Sequence, residues 1–124
     1  MGSIGLVMVS HSKYIAEGIV ELISEVAKDV PITYVGGNED GGIGTSFDQV
    51  DRVVSENPAD TLLAFFDLGS AKMNLEMVAD FSDKSIRINR VPIVEGAYTA
   101  AALLQAGAEL SVIQTQLSEL EINK

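Results

Sequence analysis

The chain has 124 residues, 47% of them hydrophobic, which is enough apolar material for one core and one domain over residues 1–124. Eighteen acidic against eight basic residues give a formal net charge of −10, which argues against nucleic acid and membrane surfaces as partners and favours proteins with a basic patch. Cysteine is absent, no basic leader precedes the first apolar run, and no stretch of about 18 apolar residues occurs, so a soluble cytoplasmic protein without disulfides or thiolate metal sites is expected.

Ile4 to Val9 is a short, β-branched apolar run of the kind that forms a strand covered on both faces, and it ends at Ser10-His11-Ser12. Ile15, Ile19, Ile23 and Val26 follow at helical spacing, with Ala16, Val20 and Ala27 widening the stripe. Ile32 to Val35 predicts a second strand, stopped by Gly36-Gly37, and a loop with Gly41, Gly42 and Gly44 leads to Thr45-Ser46. Ser46 and Gln49 match a capping box, so a helix carrying Phe47, Val50, Val53 and Val54 starts there and ends at Asn57-Pro58. Leu62 to Phe66 predicts a third strand, followed by Asp67-Leu68-Gly69-Ser70 and a helix through Met73, Met77 and Val78. Ser85 to Ile88 predicts a fourth strand. Ala97, Ala100, Ala101 and Leu104 line a helix closed by Gly107, and Leu110, Ile113, Leu117 and Leu120 line a final one. The alternation predicts an α/β fold, doubly wound, with a mainly parallel sheet of four to five strands and helices on both faces.

In such folds ligands collect beyond the carboxyl ends of the strands, where the helix N-termini point. The residues expected to converge there are Ser10, His11 and Ser12, Gly36 and Gly37, and Asp67, Gly69 and Ser70, and His11 is the only histidine in the chain. A histidine with an unperturbed pKa of about 6.5 is largely neutral at pH 7 and has a lone pair to offer phosphorus. A helix N-terminus beside it disfavours imidazolium and welcomes a phosphate dianion. Asp67, on one ring nitrogen, would fix the tautomer and leave the other to attack. The glycines permit close backbone approach, and Thr45, Ser46 and Ser70 bring hydroxyl donors, so an anion can be surrounded without a lysine.

Each feature also has a plainer reading. Asp67 and Ser70 can serve as local caps, the glycines can be turn formers, and a lone loop histidine can be merely solvated. A nucleotide-binding P-loop and the Gly-x-Ser-x-Gly elbow of serine hydrolases are both missing from the sequence. A metal site is not expected, because one histidine without cysteine would need clustered carboxylates. The other classes that fit are a small chelatase-like or tetrapyrrole-binding domain and a non-catalytic anion-binding module.

The chain resembles the phosphotransferase subunits of dihydroxyacetone kinases that depend on the phosphotransferase system, relatives of the mannose-family IIA domains. The resemblance rests on Gly5 to Ser12, Ile15 to Gly18, Gly36-Gly37 with Gly41 to Ser46, Asp67 to Ala71 with Met73-Asn74, and Val94 to Ala97. It implies that His11 receives a phosphoryl group from the phosphocarrier protein HPr and passes it to ADP held on a kinase subunit, in support of dihydroxyacetone phosphorylation. It also implies that Asp67 orients His11, that Gly37, Thr45, Ser46, Gly69 and Ser70 shape the phosphate pocket, that no cofactor is needed, and that the protein is a homodimer. Some relatives continue into HPr-like and enzyme-I-like domains; with the sequence ending at Lys124, the phosphoryl group is expected from separate carriers. A sugar-transport IIA domain is the alternative within the same resemblance.

Overall fold

The computed structural model describes residues 3–124, and within them strands and helices alternate in the expected order. They run β1 (Ile4–Ser10), α1 (Lys13–Ser24), β2 (Ile32–Gly36), α2 (Phe47–Glu56), β3 (Thr61–Phe66), α3 (Gly69–Phe81), β4 (Ser85–Asn89), α4 (Ile93–Gln105) and α5 (Leu110–Ser118). The strands make one parallel sheet in the order β2-β1-β3-β4. The order reverses at β1, whose two neighbours are reached by crossovers in opposite directions, which leaves a crevice between the carboxyl ends of β1 and β3.

The central strands are continuous apolar runs because both of their faces are covered. Leu6, Met8, Leu63 and Phe65 point to one side and pack with Ile19, Ile23, Ala97, Ala100, Ala101, Ile113 and Leu117 from α1, α4 and α5. Val7, Val9, Leu62, Ala64 and Phe66 point to the other and meet Val50, Val53 and Val54 of α2 with Ala71, Leu75 and Val78 of α3. The period-two alternation of the strands therefore sorts one apolar sequence into two cores.

The predicted helix boundaries have identifiable causes. Ser46 caps α2, its Oγ accepting from the Gln49 N–H at 3.3 Å and donating to Gln49 Oε1 at 3.0 Å. Asn57 ends that helix in an extended conformation, and its buried amide donates to the Leu6 carbonyl at 3.1 Å while accepting from the Ala59 N–H at 3.0 Å. Gly107 closes α4 with φ of 83°, a left-handed geometry that glycine adopts without a Cβ penalty.

In α3 the stripe lies on a different face from the one expected. Ala71, Leu75 and Val78 are buried, whereas Met73 and Met77 are 62% and 43% exposed. Ala71 and Leu75 are the residues that meet the β3 face and α2, which turns the methionines outward. Among the described residues no helix is long and apolar enough to cross a membrane.

Candidate functional site

The register of the sheet builds the site. Val9 of β1 pairs with Phe66 of β3 and Ser10 pairs with Gly36 of β2, so His11 and Asp67 leave the sheet side by side, although 56 residues separate them in the chain. Ser12 caps α1 by accepting from the Ile15 N–H, which fixes the turn that directs the His11 ring toward β3. His11 Nδ1 lies 2.8 Å from Asp67 Oδ1, and both side chains are 14% exposed.

Asp67 accepts from four donors. Oδ1 takes His11 Nδ1 and the Leu68 N–H at 2.7 Å; Oδ2 takes Ser10 Oγ at 2.7 Å and the His11 N–H at 3.0 Å. Burial pushes the Asp67 carboxyl up, but the bonds from the His11 side chain, the His11 backbone, Ser10 and Leu68 together outweigh it and hold the group below the ordinary aspartate range. The group is therefore a carboxylate at neutral pH. Facing a carboxylate, Nδ1 carries the ring proton, and the lone pair falls to Nε2. Ser70 Oγ lies within hydrogen-bond distance of Nε2 and is the donor in that contact.

The other expected pocket residues divide by what their polar groups already do. Gly69 and Ser70 form the first turn of α3, which has no side-chain cap, so their N–H groups face the crevice as the positive end of a helix. Ser10 is 1% exposed and its hydroxyl is committed to Asp67 and to the Ser12 N–H at 3.0 Å; it holds the carboxylate and the turn. Gly36 is required by packing, because an added Cβ would lie 2.4 Å from the Ser12 carbonyl oxygen and 2.7 Å from Lys13 Cα. Gly37 has φ of 82° and gives its N–H to the Ser10 carbonyl at 3.1 Å. Thr45 Oγ1 accepts from Asn74 Nδ2 at 3.3 Å, tying the β2–α2 loop to α3, and the Ser46 hydroxyl is occupied as the cap of α2. His11, Asp67, Gly69 and Ser70 thus converge at the crevice, while Ser10, Gly36, Gly37, Thr45 and Ser46 brace the loops around it.

Two contributors had no place in the sequence reading. Asn38 organises the glycine loop: its Oδ1 accepts from the N–H groups of Asp40 and Gly42 at 3.0 and 2.9 Å, and the same loop delivers the Gly44 N–H to the His11 carbonyl at 2.9 Å. The Asn38-Glu39-Asp40-Gly41 run is a turn signal that could have pointed to it. The second is Lys124, whose ammonium reaches the Phe66 carbonyl at 2.6 Å, and no local pattern announces it.

Fold and site together define a class: a parallel α/β domain that presents a carboxylate-held imidazole, with its free nitrogen outward, at the topological switch point. Known proteins share the fold. Residues 5–114 match the model of the EIIA-man family, described as the PTS system fructose IIA component. The PTS-dependent dihydroxyacetone kinase phosphotransferase subunit DhaM of Lactococcus lactis is 55% identical over 120 residues, covering 97% of this chain and 98% of the relative. The phosphoryl donor subunit DhaM of PEP-dependent dihydroxyacetone kinase 1 of Listeria innocua is 49% identical over 118 residues, with 95% of each chain covered. Among solved structures, a protein described as of unknown function superposes with a TM-score of 0.85 at 27% identity, over 98% of this chain and 97% of that one. A phosphotransferase system component EIIA from Streptococcus agalactiae shares the fold, with a TM-score of 0.67 at 15% identity, over 94% and 90%. The chain belongs to the EIIA-man family and, within it, to the phosphotransferase subunits of dihydroxyacetone kinases that depend on the phosphotransferase system.

Proposed function

We propose that the protein is a phosphohistidine carrier which accepts a phosphoryl group from phospho-HPr on His11 Nε2 and delivers it to ADP bound on the nucleotide-binding subunit of a dihydroxyacetone kinase. The observation that carries this reading is the clamp on Nδ1: a carboxylate with four donors fixes the ring proton on that atom and leaves the Nε2 lone pair beside Ser70 and the start of α3. The names of the relatives, as phosphotransferase and phosphoryl donor subunits of dihydroxyacetone kinases, support a kinase as the destination of the phosphoryl group.

In the first transfer the nitrogen–phosphorus bond of phospho-HPr breaks as the bond from Nε2 to phosphorus forms, and Nδ1 keeps its proton. The ring gains positive character, which Asp67 offsets at 2.8 Å. The equatorial oxygens meet the Ser70 hydroxyl and the unpaired N–H groups of Gly69 and Ser70, where the dipole end of α3 favours negative charge. In the second transfer the Nε2–phosphorus bond breaks and a terminal oxygen of ADP takes the phosphorus, which returns His11 to its starting tautomer. In the proposed function the carrier is one cytoplasmic domain over residues 1–124 and a homodimer, without a cofactor of its own, and its net charge of −10 steers it to basic patches on both partners.

The test is to incubate the protein with labelled phosphoenolpyruvate, enzyme I and HPr. A stoichiometric, acid-labile adduct that His11→Ala abolishes, and that chases onto ADP in the presence of the kinase subunits, is expected. Labelling that survives His11→Ala would refute the site. An adduct that chases only onto a sugar-transport component would refute the acceptor.

A further inference from the structure

The segment after α5 leaves the helix layer and crosses the carboxyl ends of two neighbouring strands. Leu120 still packs against the core shared by α1, α4 and α5. The Ile122 N–H then bonds to the carbonyl of Arg90, just beyond β4, at 2.8 Å, and two residues later Lys124 Nζ donates to the carbonyl of Phe66, the last residue of β3, at 2.6 Å. The ammonium also sits 4.4 Å from the centroid of the Phe66 ring, a cation–π distance. Phe66 is followed directly by Asp67, so a positive charge is fixed on the peptide that presents the carboxylate to His11.

We propose that Lys124 is an electrostatic positioning residue of the phosphoryl site: its ammonium anchors the end of β3 and adds a positive charge behind the Asp67–His11 pair, which holds Asp67 as the carboxylate that orients the imidazole and favours arrival of the phosphoryl anion. Burial pulls the Lys124 ammonium down from its ordinary value, while attraction to the Asp67 carboxylate works in the opposite direction, so the two charges sense one another without touching. Were Lys124 only a surface anchor, a neutral chain of similar length would leave the Asp67 titration unchanged.

This inference rests on the proposed carrier function for its kinetic part and is independent of it for its electrostatic part. The experiment compares the wild-type protein with Lys124→Met and Lys124→Arg, reading the Asp67 carboxyl titration by carbon NMR in the unphosphorylated state and the rate of phosphoryl acceptance from phospho-HPr. In Lys124→Met the Asp67 midpoint is expected to rise by about half a pH unit and acceptance to slow by roughly threefold, with Lys124→Arg restoring both. Thermal unfolding of all three proteins separates folding from electrostatics. A methionine variant that keeps the wild-type midpoint overturns the proposal, whether or not its melting temperature falls. Failure of the wild-type protein to accept phosphate would refute the carrier reading, while the titration shift would still decide the role of Lys124.

Discussion

Replacing Asp67 by asparagine removes the charge that the site is built around while leaving its size unchanged. A hydrogen bond involving an ionised group contributes about 1.5–3 kcal/mol and a neutral one about 0.5–1.5 kcal/mol, so the contact with Nδ1 weakens by about 1 kcal/mol or more as the ring gains positive character. The amide adds a second loss. Four donors converge on the two carboxylate oxygens, and an amide nitrogen must replace one of the oxygens. Placed at Oδ1 it faces Nδ1 and drives the ring proton to Nε2, removing the attacking lone pair; placed at Oδ2 it leaves the His11 N–H without its acceptor. Phosphoryl acceptance in Asp67→Asn is expected to fall by at least about tenfold, the rate equivalent of about 1.4 kcal/mol, measured by quenched-flow labelling from phospho-HPr. Stability should fall as well. Because the Asp67 carboxyl lies below the ordinary aspartate range in the folded protein, its stabilising contribution is complete above that range and is lost as pH falls through the folded value. The stability gap between wild type and variant should therefore be constant near neutrality and close below about pH 4. A variant that accepts phosphate at the wild-type rate, or a gap that widens on acidification, would refute the assigned role of the carboxylate.

Ser70→Ala removes the hydroxyl partner of Nε2 at an exposed position, so acceptance should drop several-fold with little change in urea midpoint; an unaltered rate would place the phosphoryl group elsewhere. Gly36→Ala forces a Cβ to 2.4 Å from the Ser12 carbonyl oxygen and should cost about 1–3 kcal/mol in chemical denaturation, with stability equal to wild type contradicting the packing described. On α3, Leu75→Ala should cost about 2–5 kcal/mol, whereas Met73→Gln should stay within about 0.5 kcal/mol, and the reverse ranking would restore the methionine face as the buried one.

The strands and the place of His11 at the end of the first one are legible because they depend on local patterns. Apolar runs such as Leu62 to Phe66 are long enough for a strand and too short for a helix, and the reversal of strand order follows from the crossover rule. The α3 face was not legible. Ala71 and Leu75 have the same four-residue spacing as Met73 and Met77, so spacing alone does not separate the two faces; packing against β3 and α2 makes the choice. At the crevice, residue type revealed which groups can donate, but the sequence carries no record of where each donor is spent. Ser10 and Ser46 are hydroxyl residues beside helix starts, yet one serves Asp67 and the other caps α2. Lys124 lies 57 positions beyond Asp67, and only the path of the last segment brings it to β3.

The most direct test of the account is the atom of His11 that carries phosphorus, read by proton–nitrogen and phosphorus NMR on the protein phosphorylated by HPr. A phosphoryl group on Nε2 with the Nδ1 proton retained is the predicted result. A Nδ1 linkage, or no phosphorus on His11, would contradict the clamp by Asp67 on which the proposed relay depends.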